Sequence, residues 1–223
     1  MADKTIENSL LALMLADDAV VPALNCEPVD LQTGPLPCDQ ADRAEWAYFP
    51  VDALITLGPE PLGQTALAVL GRHGCVLPHQ LGGSSIQAHV MASGQAWRMD
   101  WAQIRKDPQR YTTWLRHAMA ATQGLIGQMA QWSFCVQHHT AEQRLASWLL
   151  YCWAQSSRTR LDLHIQSLPL SIRHSLIQMQ ECATDTSHSW GFEMHEGWLQ
   201  ASVPQGLMAR ACSCHQQMTT PTV

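Results

Sequence analysis

The chain contains no run of about 18 consecutive apolar residues, so no segment reads as a membrane-spanning helix. Its opening, Met-Ala-Asp-Lys-Thr-Ile-Glu, lacks the basic start and apolar centre of a secretory signal. With no export signal, the eight cysteines read as reduced thiols of a cytoplasmic protein, not as a disulfide framework. The glycine-bearing loops lack the spacing of a P-loop or a dinucleotide fingerprint. No oxyanion loop or partner carboxylate is arranged around any Cys/His pair. These absences predict a protein that is not an enzyme and needs no cofactor. What remains is 223 residues with 46% hydrophobic content, enough for one large core or two small ones. The net charge of −6 argues against a basic surface spread over the whole molecule, but it leaves room for one basic patch. The nine tryptophans scatter and form no stacking array.

Proline is also missing between Pro108 and Pro169. Within that interval Tyr111, Leu115, Ala118, Thr122, Leu125, Met129, Trp132 and Val136 recur in alternating steps of four and three, a heptad seam. Pro108 suits the first turn of a helix. A helix of about 30 residues would span ~45 Å, longer than a core of this size needs. The spacing therefore predicts a dimerisation helix, with Leu115, Ala118, Thr122, Leu125, Met129, Trp132 and Val136 facing a second copy. Packing on the chain's own domain is the alternative.

Before this helix, Asn8 or Ser9 can cap a short one that carries Leu10, Leu11, Leu13, Met14 and Leu15. Strands are predicted around Ala47–Leu57, broken by a proline turn, then at Thr65–Leu70, Ile86–Ala92 and Gln95–Met99. Gly/Pro turns every 8 to 12 residues indicate an all-β sandwich or barrel over about residues 20–100. After the long helix, Thr140 can cap a helix to Gln155, and Ser171 a further helix. Residues 184–192 follow as a short helical segment. Glu196–Val203 reads as a turn and strand, and Gln205–Cys214 as a last helix.

Several stretches carry a family resemblance. Tyr48-Phe49-Pro50, then Leu54-Ile55-Thr56-Leu57, resembles a strand of the β-roll in Crp/Fnr-type transcriptional regulators, the family of the bacterial cyclic-AMP receptor protein. Gly71-Arg72-His73-Gly74 followed by Leu81-Gly82-Gly83 resembles the next segment of that domain. Cys135, His139, Glu142, Arg144-Leu145-Ala146 and Trp148-Leu149-Leu150 resemble the passage from the dimer helix into the DNA-binding domain. Leu168-Pro169-Leu170-Ser171 with Met179 resembles the start of its helix-turn-helix. Leu207, Ala209-Arg210-Ala211-Cys212 and Cys214 resemble the C-terminal tail of one subgroup.

The resemblance implies an α+β protein. Its parts would be an N-terminal β-roll (a jelly roll like a cyclic-nucleotide-binding domain) over 1–106, a dimerisation helix over 107–139, and a winged helix-turn-helix over 140–223, intact or degenerate. It implies a homodimeric DNA-binding regulator with an unknown small-molecule or protein effector and no membrane partner. Arg173, Thr186, Ser187 and His188 are the implied DNA contacts.

Departures from the pattern sharpen these expectations. Gly82–Ala88, where nucleotide-binding members place an arginine on the cyclic phosphate, holds no cation, so a cyclic nucleotide is not expected. Cys26 and Cys38 are too few and too far apart for the N-terminal iron–sulfur cluster of the oxygen-sensing members. Ala183 and Thr184 stand where related regulators carry an arginine pair for bases and phosphates. From Ala141 onward the chain holds five arginines, no lysine and six acids, a poor balance for neutralising phosphates. An alternative is therefore a relative that no longer reads DNA and acts by protein interaction. Cys212-x-Cys214-His215 with Cys182, His188 and His195 offers soft ligands, but the C-x-C spacing coincides with the family tail and no metal is expected. Cys135 with His138 and His139 reads as a helix-end cluster.

Overall fold

The computed structural model describes residues 7–17, 26–37, 46–59, 67–78, 86–182, 190–202 and 204–219. Helix α1 (Ser9–Ala16) is capped by Asn8, whose side-chain oxygen accepts from the Leu11 N–H. The Asn8 amide also donates to the Pro50 carbonyl at 2.7 Å and the Gly74 carbonyl at 3.0 Å, so one buried side chain fastens the helix to two β-roll loops.

Among the described residues the β-roll shows two antiparallel sheets. The first has the order β1 (Cys26–Leu31), β7 (Gly94–Asp100), β3 (Trp46–Pro50). The second runs β2 (Gly34–Pro35), β6 (Ile86–Ala92), β4 (Leu54–Pro59), β5 (Ala68–Leu70). Adjacent strands β3 and β4 do not pair with one another, nor do β6 and β7. At Val51–Ala53 and at Ser93 the chain crosses from one sheet to the other. Glycine is required after the second crossing, because a Cβ at Gly94 would collide with Asp52 and the Ala53 backbone.

Leu31, Tyr48 and Ala96 of the first sheet meet Ile55, Leu57, Ala88 and Val90 of the second. The outer faces are covered too. Ala47, Phe49 and Met99 lie under α1 and the long helix, while Leu54, Val69, Met91 and Ala92 lie under the C-terminal unit. Cover on both faces explains why β3 and β4 are nearly continuous apolar runs instead of alternating ones.

Asp100 caps α2 (Trp101–Arg105), and Asp107 caps α3 (Pro108–His138), accepting from the Gln109 and Arg110 N–H groups. The 31 residues of α3 span about 46 Å. Trp114, fully buried, meets Phe49 edge-on at 6.5 Å and Trp101 at 6.2 Å. Thr140 and Gln143 form a capping box that starts α4 (Ala141–Gln155). Then come β8 (Leu161–His164), α5 (Leu170–Cys182), β9 (Phe192–His195), β10 (Trp198–Ala201), α6 (Pro204–Met208) and α7 (Cys214–Thr219). The third sheet has the order β8-β10-β9, and Gly197 turns its hairpin at φ +79°.

Two local expectations differ from the structure. Helix α5 begins at Leu170, one residue before Ser171, so Ser171 lies inside the first turn instead of capping it. The helix expected over Gln205–Cys214 is two short ones, separated where the Cys212 N–H donates to Ser147 Oγ at 3.0 Å instead of to a helical carbonyl. The short helical segment expected over 184–192 falls mostly on residues outside those described. Of it, Phe192 already belongs to β9.

The C-terminal unit is docked on the β-roll of its own chain. The Arg72 N–H donates to the Gln155 carbonyl at 2.9 Å, and Arg158 Nε pairs with Asp52 Oδ2 at 2.9 Å.

Candidate effector cavity and nucleic-acid interface

A cavity of about 460 Å³ lies between α1, β5, the middle of α3 and the end of α4. Its polar wall includes His73, Gln123, Gln128, Gln131, Tyr151 and Gln155, and among the described residues it holds no arginine, lysine or carboxylate. Ser9 Oγ lies 2.8 Å from His73 Nδ1 and 3.3 Å from the Arg72 carbonyl. Burial, with Arg72 beside it, holds the His73 pKa below its ordinary 6.5. Two groups converge on the Val69 carbonyl of β5: Gln128 Nε2 donates to it at 3.2 Å and Tyr151 Oη at 3.0 Å. Gln128 is buried, and this bond satisfies its amide on the inner face of α3. The cavity therefore touches a backbone group through which β5, α3 and α4 are joined. Of the expected phosphate-binding stretch, Gly82–Ala88, residues 82–85 lie outside the described residues and Ile86–Ala88 begin β6.

The long helix carries two apolar stripes. The inner one, Tyr111, Trp114, Ala118, Ala121, Leu125, Gln128, Trp132 and Cys135, packs on the chain's own cores. The outer one is Leu115, Met119, Thr122, Ile126, Met129, Ser133 and Val136. Met119 and Ile126 on it are 59% and 57% exposed. The expected seam took Leu115, Thr122, Met129 and Val136 from the outer stripe and Ala118, Leu125 and Trp132 from the inner one. Ala118 is 4% exposed in the core with Trp114, while Leu125 and Trp132 lean on the second-sheet and C-terminal cores, so these three face their own chain. A period of 3.5 fits both stripes, and the sequence pattern merged them.

Of the expected DNA contacts, Arg173 stands half-buried on α5, whereas Thr186, Ser187 and His188 lie outside the described residues. Arginines elsewhere beyond Ala141 are engaged within the chain. Arg144 donates to Ser175 Oγ and the Val136 carbonyl, Arg158 pairs with Asp52, and Arg160 pairs with Asp162. Arg210 pairs with Glu142 and covers the Trp190 ring at 4.6 Å.

The fold also assembles a group that the sequence did not join. Cys135, His139, Cys212 and Cys214 bring their donor atoms within 4.8 Å of one another. Of the ligands grouped from spacing, Cys212 and Cys214 join this cluster, whereas His195 pairs with Glu193 on β9 and His215 Nδ1 lies 2.6 Å from the Cys212 carbonyl; His188 lies outside the described residues. Burial first, then the neighbouring Cys212, pushes the Cys135 thiol well up. Burial raises Cys212 too, but hydrogen bonds from Ser147 and the Cys214 backbone outweigh it and leave this thiol below its ordinary value. The missed signal was the pairing of Cys135-x3-His139 with Cys212-x-Cys214, which lie about 75 residues apart in sequence.

No family profile and no curated protein sequence matches the chain. Solved structures do. A CRP-family transcriptional regulator from Thermus thermophilus superposes with a TM-score of 0.52 at 13% identity, covering 82% of this chain and 95% of that one. FixK2 from Bradyrhizobium japonicum gives 0.53 at 14% identity over 84% and 98%. A Crp/Fnr-family regulator from Eubacterium rectale gives 0.51 at 13% over 91% and 94%. The chain thus has the fold of Crp/Fnr regulators: a β-roll, a long helix and a C-terminal winged unit, with α+β composition. No described helix is long and apolar enough to cross a membrane.

Proposed function

We propose that this chain is a divergent Crp/Fnr-type regulator that binds DNA as a homodimer. In this reading residues 1–106 sense an effector, 107–139 dimerise and 140–223 read DNA. One observation supports it above the others: the outer stripe of α3, a mostly apolar heptad stripe exposed at Met119 and Ile126 on a helix whose inner stripe already fills the chain's own core. Two copies meeting there would present two winged units to a two-fold symmetric site, with half-sites about one helical turn apart. Arg173, Thr186, Ser187 and His188 would make the contacts. The effector would occupy the cavity beside Val69. A wall of neutral amides, a phenol and His73 suits an uncharged polar ligand better than a cyclic nucleotide.

The arginine pairings favour a second reading, a protein-interaction relative that has lost DNA affinity. Arg144, Arg158, Arg160 and Arg210 already have partners within the chain, which leaves little charge for phosphates.

The test is selection of bound fragments from a random duplex pool, with reductant present, at low and near-physiological salt. Enrichment of a symmetric motif that survives the higher salt, and that weakens with Arg173→Ala, supports the regulator. Binding only at low salt, unchanged by that substitution, supports the interaction protein.

A further inference from the structure

The cluster at the end of α3 has the build of a closed metal site. Cys135 lies in the last turn of α3 and His139 is the residue that ends it, four positions on, so a single helical turn stacks them on one side. Cys212 and Cys214 flank Ser213 at the start of α7, which Cys214 opens, and the Cys212 N–H bonded to Ser147 holds this tail against α4.

Cys135 Sγ and Cys212 Sγ are 3.7 Å apart, and Cys214 Sγ and His139 Nδ1 are 3.5 Å apart. A tetrahedral ion ~2.3 Å from sulfur and ~2.05 Å from nitrogen sets edges of roughly 3.8 Å between sulfurs and 3.6 Å between sulfur and nitrogen. Two edges of that tetrahedron are therefore already in place. The three thiols are 0%, 8% and 1% exposed, so protein closes the site and leaves no position open to substrate, as in structural sites.

We propose that Cys135, His139, Cys212 and Cys214 bind one Zn²⁺ that fastens the C-terminal tail to the junction of α3 and α4. Three thiolates and an imidazole favour zinc over the hard divalent cations. Donors gathered this closely suit a single ion; a multi-iron cluster holds its thiolates further apart. On binding, each thiol passes its proton to solvent and the neutral His139 coordinates through Nδ1, so three protons leave for each ion bound. Outer partners are present: Gln131 Nε2 donates to Cys214 Sγ at 3.1 Å, and Ser147 Oγ lies 3.0 Å from Cys212 Sγ. The inference stands apart from the reading of DNA, since the site would exist in either proposed function.

The experiment uses the full chain, purified with reductant. Zinc is measured by elemental mass spectrometry, and Co²⁺ serves as a spectroscopic probe. One zinc per chain is expected, and the cobalt form should show the intense visible bands and thiolate charge transfer of a tetrahedral site. Cys214→Ser and His139→Gln should each lower zinc affinity by about 100-fold or more. Ser147→Ala should lower it by about 10- to 100-fold. Cys26→Ser, in β1 and away from the cluster, should leave it unchanged. His139→Gln alters the most exposed ligand and so remains informative if a cysteine variant does not fold. Cobalt without thiolate charge transfer overturns the proposal. So does affinity indifferent to both ligand substitutions, or a Cys135–Cys212 disulfide in zinc-saturated reduced protein.

Discussion

Gly71 shows how much one side chain can matter here. A Cβ added to it would overlap the Gln155 carbonyl and side chain, where the β-roll touches the end of α4. Gly71→Ala should therefore cost about 1–3 kcal/mol, as overpacking does, and lower the urea midpoint without changing the slope. His73 gives a pH dependence of definite sign. Its folded pKa is depressed, so its stabilising contribution is complete above the unfolded value of 6.5 and is lost as pH falls through the folded one. Unfolding at pH 7.5 and pH 5 should show this loss, and His73→Gln should flatten that part of the curve. His73 also lines the cavity, so in the proposed reading effector binding and acid sensitivity would meet at one ring.

At the scale of elements, α3 depends on its first turn and on Trp114. Asp107→Ala removes the acceptor for two backbone N–H groups and should cost about 1 kcal/mol in denaturant unfolding. Trp114→Ala empties the contact with Phe49 and Trp101 and should cost about 3–5 kcal/mol, measured the same way. Much of this level was legible in the sequence. Pro108, the proline-free interval and the Thr140 cap place the helices because those signals are local. The strands β6 and β7 were also legible, but their separation into different sheets was not, since a Ser-Gly step marks a turn without saying which strand pairs with which. The split of the last helix was hidden for a similar reason: it follows from the Cys212 N–H bonding Ser147, 65 positions away. The long helix shows the limit most clearly. Its period was plain, but which of two neighbouring stripes faces inward is decided by Phe49, Trp101 and the cores beneath it.

For the whole molecule, the C-terminal unit docks on the β-roll through Val69, Gln155 and Asp52, close to the cavity. A ligand that moves the Val69 carbonyl would act on α3 and α4 together, and through the outer stripe on the spacing of two winged units, a bistable arrangement rather than a local shift. Because most C-terminal arginines are engaged, binding to random duplex should fall with salt along a shallower line than that of a regulator making ~6–10 phosphate contacts. Fluorescence anisotropy across a salt series measures that slope. The central claim of the proposed regulator is that two copies join through Met119, Ile126 and their neighbours. Light scattering on the full chain tests it most directly. The account predicts about twice the chain mass of 24.8 kDa for the wild type, and the single-chain mass for a folded Ile126→Asp variant. A monomeric wild type at micromolar concentration, or an Ile126→Asp variant that stays dimeric, would contradict it.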